Sequence, residues 1–125
     1  LPGTMSRQAS WDFDLAFTFI YQRGDPALGV ARNYVGSEIK KGSPFNNVGG
    51  YQNPKVDALF ERGSRETDPK KRAETYADVQ RTLVDDVAEG WLLELNFPTV
   101  YRNKIDNLVN SGLGLNDSLA RAAIK

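Results

Sequence analysis

Only two segments of this 125-residue chain have the pattern of a strong β-strand, and that scarcity limits what the chain can fold into. The first covers about residues 12–20, where apolar side chains alternate and then become continuous. The second covers about residues 91–97 and ends at Pro98. Two strands rarely form a stable sheet by themselves. We therefore expect a mixed α/β fold in which these strands belong to a larger sheet completed by other chain segments.

Four helices are predicted beside these strands, three of them by Asp-Pro or Asn-Pro pairs. In each pair, the first side chain can accept a hydrogen bond from a free main-chain N–H, and proline suits the first helical position. The pairs are Asp25-Pro26, Asn53-Pro54 and Asp68-Pro69. They predict helices over about residues 26–35, 54–66 and 69–87, and Asn116-Asp117 predicts another over about 118–125. The second and third helices are expected to form an antiparallel hairpin because their junction is short.

The third predicted helix has the clearest pattern, because its apolar residues recur at helical spacing. Its core-facing stripe is predicted to contain Ala73, Tyr76, Ala77, Gln80, Leu83, Val84 and Val87. The opposite face, which we expect to be solvated, contains Lys71, Arg72, Glu74, Asp78, Arg81 and Asp85. Residues 1–11 are expected to be irregular. Residues 36–52 form a loop of a length that is usually functional or held in place by other contacts.

Composition excludes several classes of function. Sixteen basic residues balance sixteen acidic ones, which argues against nucleic acid as the partner because phosphate binding needs positive charge. The chain has no Cys and no His, so disulfides, thiolate metal sites and a histidine base are excluded, and neither a cofactor nor a metal is expected. No apolar run reaches membrane-spanning length. Because the chain begins at Leu1 without a secretory signal pattern, we expect it to be a piece of a longer protein.

An enzyme is the less favoured interpretation. Neighbouring acids occur at three places, and paired carboxylates can hydrolyse glycosides when their separation is suitable. The pairs are Asp12 with Asp14, Asp85 with Asp86, and Glu89 with Glu94. Nothing in the sequence gives the two acids of a pair the different environments that acid and base roles require. No phosphate-binding or dinucleotide-binding glycine motif is present. The sequence therefore predicts a protein that is not an enzyme.

Four sequence motifs follow one another in the order of a known protein family. The first is Trp11-Asp12-Phe13-Asp14-Leu15, followed by Gly24-Asp25-Pro26, and the second is Gly49-Gly50-Tyr51-Gln52-Asn53-Pro54-Lys55-Val56-Asp57-Ala58-Leu59. The third joins Glu66-Thr67-Asp68-Pro69-Lys70-Lys71-Arg72 to Tyr76, Gln80 and Leu83, and the fourth joins Leu93-Glu94-Leu95 to Pro98-Thr99-Val100-Tyr101-Arg102. Over about Trp11 to Leu113, the chain resembles the peptide, dipeptide and nickel-binding family (family 5) of extracellular solute-binding proteins of ABC transporters.

The resemblance implies that the chain is the C-terminal portion of a two-lobed, periplasmic-binding-protein-like (type II) fold. Residues 1–22 would be the end of one lobe, and residues 23–125 the C-terminal part of the other. Members of this family resemble clamps whose lobes close around a solute by hinge motion. The resemblance therefore implies non-covalent capture of an oligopeptide or another small polar solute and its delivery to an ABC permease in the membrane. It also implies a periplasmic location, or an extracytoplasmic one with a membrane anchor.

The same resemblance indicates where a ligand would bind. The segment that crosses between the lobes contains Phe19, Tyr21, Gln22 and Arg23. The long loop contributes Asn46, Asn47 and Tyr51, and the end of the second strand contributes Asn96 and Phe97. Several peptide binders of the family have, where Gln22 stands here, an aspartate that pairs with the amino group of the peptide. The neutral Gln22 cannot supply that ion pair, and Asp25 is a possible substitute.

The alternative function is a free-standing helical module that binds another protein. The predicted hairpin over residues 54–87 could dock a partner through its apolar stripe. The two interpretations predict different behaviour in solution. A module would be a stable monomer that unfolds cooperatively, whereas a fragment without its neighbouring strands would aggregate, exchange strands or form a dimer.

Overall fold

The computed structural model describes residues 2–18, 24–94 and 98–125. The chain forms two compact units, Leu1–Gly90 and Trp91–Lys125. In its described part, the first unit contains the α-helices α1 (Pro2–Ser10), α2 (Pro54–Arg65) and α3 (Pro69–Asp85). The second contains two short strands, β1 (Ile105–Asp106) and β2 (Ala123–Ile124). The predicted boundary after residue 22 concerns the lobes of a longer protein and stays a prediction.

Helices α2 and α3 begin at the two predicted prolines because the residues before them cap the free main-chain N–H groups. Asn53 Oδ1 accepts a hydrogen bond from the Lys55 N–H at 2.9 Å. Asp68 Oδ1 accepts from the N–H groups of Lys70 and Lys71 at 2.8 and 3.2 Å. The short connection over residues 66–68 folds the two packed helices into a hairpin.

The core of the first unit lies between this hairpin and the chain that precedes it. Its buried apolar side chains are Tyr34, Val56, Leu59, Phe60, Val79 and Leu83. The rings of Tyr34 and Phe60 stack with centroids 6.4 Å apart, and Phe60 contacts the Tyr76 ring at 6.2 Å. Gly63 lets α2 approach that ring closely, because a Cβ atom there would lie 2.8 Å from Tyr76 Cζ. The chain before α2 thus contributes to the core, through Tyr34 in its interior and through the half-buried Tyr51 packed against it.

The buried face of α3 differs from the predicted stripe. Its buried residues are Thr75, Val79, Thr82 and Leu83. Ala73 and Gln80 are exposed. Val84 and Val87, which we predicted to face the core, are 53% and 74% exposed. Leu83 is buried and Tyr76 packs against the core, as predicted. The buried face therefore overlaps the predicted stripe at these two residues and is shifted from it towards Thr75, Val79 and Thr82.

The threonines of α3 explain that difference. The hydroxyl of Thr75 donates to the Lys71 carbonyl at 2.9 Å, and that of Thr82 donates to the Asp78 carbonyl at 2.9 Å. A threonine that bonds to its own helix in this way can be buried at little cost. A stripe drawn through apolar residues treats both positions as polar and places them on the wrong face.

The C-terminal end of α3 has an unusual residue in its closing turn. Val87 has a φ of 50°, in the left-handed region. The Ala88 N–H donates to the Leu83 carbonyl at 3.0 Å and closes the helix. Glycine is the usual residue at the left-handed position of such a closing turn, because a Cβ atom is strained there.

The N-terminal segment differs from the prediction. Residues 2–10 form α1 instead of irregular chain, and Pro2 stands at its start, where proline is favoured. The described part of the predicted strand over 12–20, residues 12–18, has no regular secondary structure, and residues 19 and 20 lie outside the described range. The strand prediction is wrong for residues 12–18, because a strand needs a hydrogen-bonded neighbour. None of the strands in the described ranges pairs with these residues.

The predicted helix over 26–35 is also wrong. Residues 26–30 form turns, followed by 3-10 helices over Ala31–Asn33 and Gly36–Glu38. Gly29 has a φ of 117°, which no α-helix can contain. Asp25 still caps the first turn, because its Oδ1 accepts from the Ala27 N–H at 2.8 Å.

The second unit contains little regular structure. Strands β1 and β2 are antiparallel, with Ile105 opposite Ile124. The predicted helix over 118–125 is wrong, because its last residues pair with β1 and Lys125 Nζ forms an ion pair with Asp106 at 3.0 Å. Residues 91–94 of the predicted strand 91–97 have no regular structure, and residues 95–97 lie outside the described range.

Neither the helical hairpin nor α1 resembles a membrane span, and no helix in the described ranges is long and apolar enough to cross a bilayer.

Whether the chain belongs to a two-lobed fold is a question that this structure does not test, so that fold class stays a prediction.

Candidate functional site

The long loop that precedes α2 is held against the hairpin by polar contacts, and three predicted ligand residues lie in it. Asn46, Asn47 and Tyr51 all belong to this loop, residues 36–52. The other six predicted residues lie outside the described ranges. They are Phe19, Tyr21, Gln22, Arg23, Asn96 and Phe97. Their predicted roles, like those of the loop residues, stay predictions.

Asn47 folds the loop around its own side chain. It is 2% exposed. Its Nδ2 donates to the carbonyls of Val35 and Tyr51 at 3.2 and 2.6 Å, and its Oδ1 accepts from the Tyr51 N–H at 3.0 Å. These contacts engage both ends of the amide. In this structure Asn47 shapes the loop, and a ligand would have to displace main-chain groups to reach its amide.

Asn46 is the more accessible of the two asparagines. Its Nδ2 donates to Glu38 Oε2 at 2.6 Å, and its Oδ1 accepts from the Ser43 hydroxyl at 3.1 Å. Glu38 also forms an ion pair with Lys40 at 3.1 Å. Together these four side chains form a polar cluster of mixed charge at the surface, which suits hydrogen bonding to a polar solute more than burial of an apolar one.

Tyr51 connects the loop to the end of α3. Its hydroxyl donates to Asp86 Oδ2 at 2.6 Å, and the Asn53 side-chain amide donates to the same oxygen at 2.6 Å. The hydrogen bonds from Tyr51 and Asn53 lower the pKa of Asp86. Burial and the bond to Asp86 raise the pKa of Tyr51 to about 12, so its hydroxyl keeps its proton and remains a donor.

Two further contacts join the chain before the loop to the hairpin region. Arg72 Nη2 lies 2.7 Å from each carboxylate oxygen of Asp25, and both side chains are half-buried. The Arg72 guanidinium also lies over the Tyr76 ring, 5.3 Å from its centroid. On the other side, the Tyr34 hydroxyl donates to Glu89 Oε2 at 2.9 Å. Burial raises the pKa of Glu89, and the Tyr34 bond partly opposes that shift.

Sequence reasoning missed most of these contacts. The sequence pattern predicts that Arg72 lies on the solvated face of its helix, and nothing in that pattern predicts a contact with Asp25, 47 positions earlier. The family resemblance makes Asp25 a possible partner for a peptide amino group. Here its carboxylate accepts from the Ala27 N–H and from Arg72, so a ligand amine would have to compete with a guanidinium. The Asp-Pro and Asn-Pro pairs predict the starts of α2 and α3 from the sequence alone, because a helix cap needs no distant partner.

One acid of each pair that suggested catalysis has another partner. Asp12 forms an ion pair with Arg7 at 3.1 Å, Asp86 accepts from Tyr51, and Glu89 accepts from Tyr34. In residues 2–18, 24–94 and 98–125, no group of three or more acidic side chains is arranged to hold a metal ion. The polar residues of the loop can offer hydrogen bonds, and the chemistry they support is non-covalent recognition.

Comparison with known proteins gives distant relatives. No family model matches the chain, and no solved structure matches it significantly. Protein XP55 of Streptomyces lividans is 35% identical over 85 residues, which make up 68% of this chain and 15% of that protein. The probable D,D-dipeptide-binding periplasmic protein DdpA of Escherichia coli (strain K12) is 28% identical over 104 residues, which make up 82% of this chain and 20% of that protein.

The chain therefore spans a fifth or less of the length of these curated relatives. One of them is named as a periplasmic binding protein and the other has a name that states no activity. The chain is distantly similar to part of a periplasmic dipeptide-binding protein.

Proposed function

We propose that this chain is part of the solute-binding receptor of an ABC importer. The observation that carries the proposal is the similarity over 82% of the chain to a protein named as a periplasmic dipeptide-binding protein. In this proposal, the complete protein is two-lobed, works in the periplasm or anchored outside the cytoplasmic membrane, and hands its solute to a permease. Its action is reversible capture without covalent chemistry.

The loop over residues 36–52 supports a binding role within this proposal. A binding site works best when its polar groups are held in place before the ligand arrives, because ordering them on binding would cost affinity. Asn47 fixes the loop from inside, and Tyr51 joins it to Asp86. Asn46 is then the loop residue most able to exchange an internal hydrogen bond for one to a solute.

The proposed solute is an oligopeptide or another small polar molecule. Gln22 has no charge, and the carboxylate of Asp25 is engaged by Arg72 at 2.7 Å. Neither residue is therefore ready to form an ion pair with a free amino group. This arrangement favours a ligand that is recognised mainly by hydrogen bonds.

The proposal is tested on the complete protein, expressed from the coding sequence that surrounds this chain. Isothermal titration would compare free dipeptides and tripeptides of L and D configuration, their N-acetylated forms, and a panel of neutral polar solutes. We expect at least one class to bind with a Kd of about 10 μM or tighter. An N-acetylated peptide should bind within about threefold of its free form, since a lost ion pair would cost about tenfold or more.

Two results would contradict the proposal. One is a complete protein that binds none of these solutes. The other is steady turnover of a peptide, ester or glycoside, which would indicate an enzyme. The 125-residue chain is the internal comparison, and it should bind the same solute at least about a hundredfold more weakly, because a clamp needs both of its lobes.

A second candidate function is a helical module that docks another protein on α3. The exposure of Val84 and Val87, at 53% and 74%, favours it. Under this alternative, the 125-residue chain is a monomer that unfolds in one cooperative transition. Sedimentation and urea unfolding would separate the two candidates, since a fragment of a receptor is expected to self-associate.

A further inference from the structure

Two contacts hold the end of α1 against the long loop over residues 36–52. The Gly42 N–H donates to the Ala9 carbonyl at 2.8 Å, and the Lys41 ammonium lies over the Trp11 ring, 5.8 Å from its centroid. Ala9 belongs to the last turn of α1, where the carbonyl groups have no partner inside the helix. The loop therefore presents a hydrogen-bond donor, next to a lysine, to a planar C=O group.

These two loop residues suit an anionic acceptor better than the neutral groups that they now contact. The loop contains two lysines, Lys40 and Lys41, and one acid, Glu38. Lys40 forms an ion pair with Glu38 at 3.1 Å, whereas Lys41 takes part in none of the ion pairs of the described ranges. A hydrogen bond to a charged acceptor is about twice as strong as one to a neutral acceptor. A carboxylate would therefore gain more from Gly42 and Lys41 than the Ala9 carbonyl does.

The loop orders both groups by its own contacts. Gly42 has a φ of 102°, in the left-handed region that glycine adopts freely, so the turn that presents its N–H is unstrained. Directly after it, the Ser43 hydroxyl donates to Asn46 Oδ1 at 3.1 Å. Lys41 and Gly42 are both exposed. A solute can reach them, and it meets donors that are already in place, which favours binding.

Helix α1 is held weakly enough to be displaced. Its buried residue, Gln8, is 4% exposed, and the enclosed Nε2 has no hydrogen-bond partner. A buried amide without a partner costs free energy, which is recovered when α1 moves away and water reaches the group. Trp11 has a φ of 59°, which strains a residue with a Cβ atom. The six core side chains of the first unit all lie outside α1.

We propose that the Gly42 N–H and Lys41 bind the carboxylate of a small solute, and that α1 occupies this position within the same chain until the solute displaces it. The inference rests on the proposed function, because it names a charged group of the solute and the contact that competes with it. One N–H and one ammonium match the single negative charge of a carboxylate. A phosphate dianion would need more positive charge than one lysine supplies.

The first test titrates the 125-residue chain with N-acetyl-alanyl-alanine and with its C-terminal amide, which lacks the carboxylate. Nuclear magnetic resonance of the ¹⁵N-labelled chain follows the Gly42 N–H. We expect the acid to shift this signal with a Kd at least about tenfold lower than the amide does. Lys41→Met should remove that preference. Lys40→Met is the matched control and should keep it, because the Lys40 ammonium is engaged by Glu38.

Two results of this titration would overturn the proposal. One is equal binding of the acid and the amide. The other is a Gly42 signal that neither compound shifts up to the limit of solubility.

The second test asks whether α1 competes with the solute. Gln8→Met removes the unpaired amide and keeps a side chain of similar length, so it should hold α1 more firmly and raise the thermal midpoint by about 3 °C or more. The same variant should weaken binding of the acid by about threefold or more, because a ligand that must displace α1 then pays a larger cost. Ser6→Met, on the exposed side of α1, is the control and should leave the affinity unchanged.

Hydrogen exchange measures the displacement without a variant. At saturation with the acid, the amides of α1 should exchange at least about threefold faster than in the free chain. Unchanged exchange in α1, or a Gln8→Met variant that is stabilised and binds the acid as well as the parent does, would contradict the competition.

The same two compounds separate this inference from the proposed function when they are added to the complete protein. Equal affinity for the acid and the amide would contradict the carboxylate position and leave the proposed function standing. A complete protein that binds no solute would contradict the proposed function. A Gly42 signal that the acid still shifts in the 125-residue chain would then support the carboxylate position by itself.

Discussion

Asn47 has one side-chain amide, and it contacts three main-chain groups: two of Tyr51, in the same loop, and the carbonyl of Val35, just before the loop. The sequence singled this residue out because asparagine in a long loop can contact a ligand. Its burial could not be predicted, because the Val35 carbonyl that it reaches lies 12 positions away. A loop asparagine whose amide is engaged inside the fold and one that faces a solute look alike in a sequence.

Replacing Asn47 should therefore destabilise the fold of the loop, because its amide is engaged inside the loop and not at the surface. Asn47→Ala removes hydrogen bonds to Val35 and Tyr51 and leaves main-chain groups unsatisfied in a buried place. We expect a loss of about 2 to 3 kcal/mol in the free energy of unfolding, measured with urea. Asn46→Ala, at a half-exposed position of the same loop, should cost less than about 1 kcal/mol.

Glu89 should give the protein a stability that depends on pH. Because burial raises its pKa above the ordinary value of 4.5, the folded state favours the protonated acid more than the unfolded state does. Its favourable contribution is therefore complete below pH 4.5 and is lost as the pH rises through the raised pKa.

Glu89→Gln removes this titration while keeping an acceptor for the Tyr34 hydroxyl. We expect the variant to be more stable than the parent at pH 7, with the difference shrinking towards pH 4, when thermal unfolding is followed over that range. Glu74→Gln, on the exposed side of α3, is the matched control. Its thermal stability should equal that of the parent both at pH 7 and at pH 4. A variant that is equally destabilised at every pH would show that the carboxylate itself is required.

The helical hairpin is the element that local chemistry predicts best. Asn53 and Asp68 mark both helix starts, because a cap acts on N–H groups two or three residues away. The strand over residues 12–18 and the helix over 118–125 were predicted wrongly, because pairing partners decide what such short segments do. The buried face of α3 is predicted correctly only at Leu83 and Tyr76 for a related reason, since the partner helix decides which side is buried.

The end of α3 offers a test of backbone strain in one element. Val87 has a φ of 50° and is 74% exposed, so it has strain and little burial to lose. Val87→Gly should raise the free energy of unfolding by about 1 kcal/mol, because glycine adopts this conformation freely. Val84→Gly, inside the same helix, should lower it by about 1 kcal/mol. If urea unfolding shows that both variants have a lower free energy of unfolding than the parent, the argument that Val87 is strained is contradicted.

The contact between Asp25 and Arg72 joins the chain before the loop to α3. The two groups are about one-third and one-quarter exposed and lie 2.7 Å apart, so solvent screens them only partly. A double-mutant cycle with Asp25→Asn and Arg72→Met should give a coupling energy of about 1 to 2 kcal/mol. The same cycle on Arg65 and Glu61, an exposed pair on α2, should give about 0.5 kcal/mol or less.

At the scale of the whole molecule, the two units differ in how much they bury. The first has a core built from six buried apolar side chains, whereas the described residues of the second are exposed or half-buried. Among them, Leu92, Leu93 and Ile124 are 70% or more exposed. Marginal burial means that the second unit opens at a small free-energy cost.

Limited proteolysis should distinguish the two units in the 125-residue chain. Cleavage is expected first within residues 91–125, leaving a fragment of about residues 1–90 that keeps the circular dichroism of the helices. Mass spectrometry would locate the cuts. First cuts within α2 or α3 would contradict the difference in stability that we infer from burial.

The bond between Asp25 and Arg72 has a mechanical consequence. Asp25 is the last residue of the predicted crossing segment, residues 19–25, while Arg72 is in the first turn of α3. As long as their carboxylate and guanidinium remain joined, neither end can shift without displacing the other. A rotation of the crossing segment would then turn the hairpin of α2 and α3 with it as a rigid body. A spin label on the outer surface of α3 would detect that rotation.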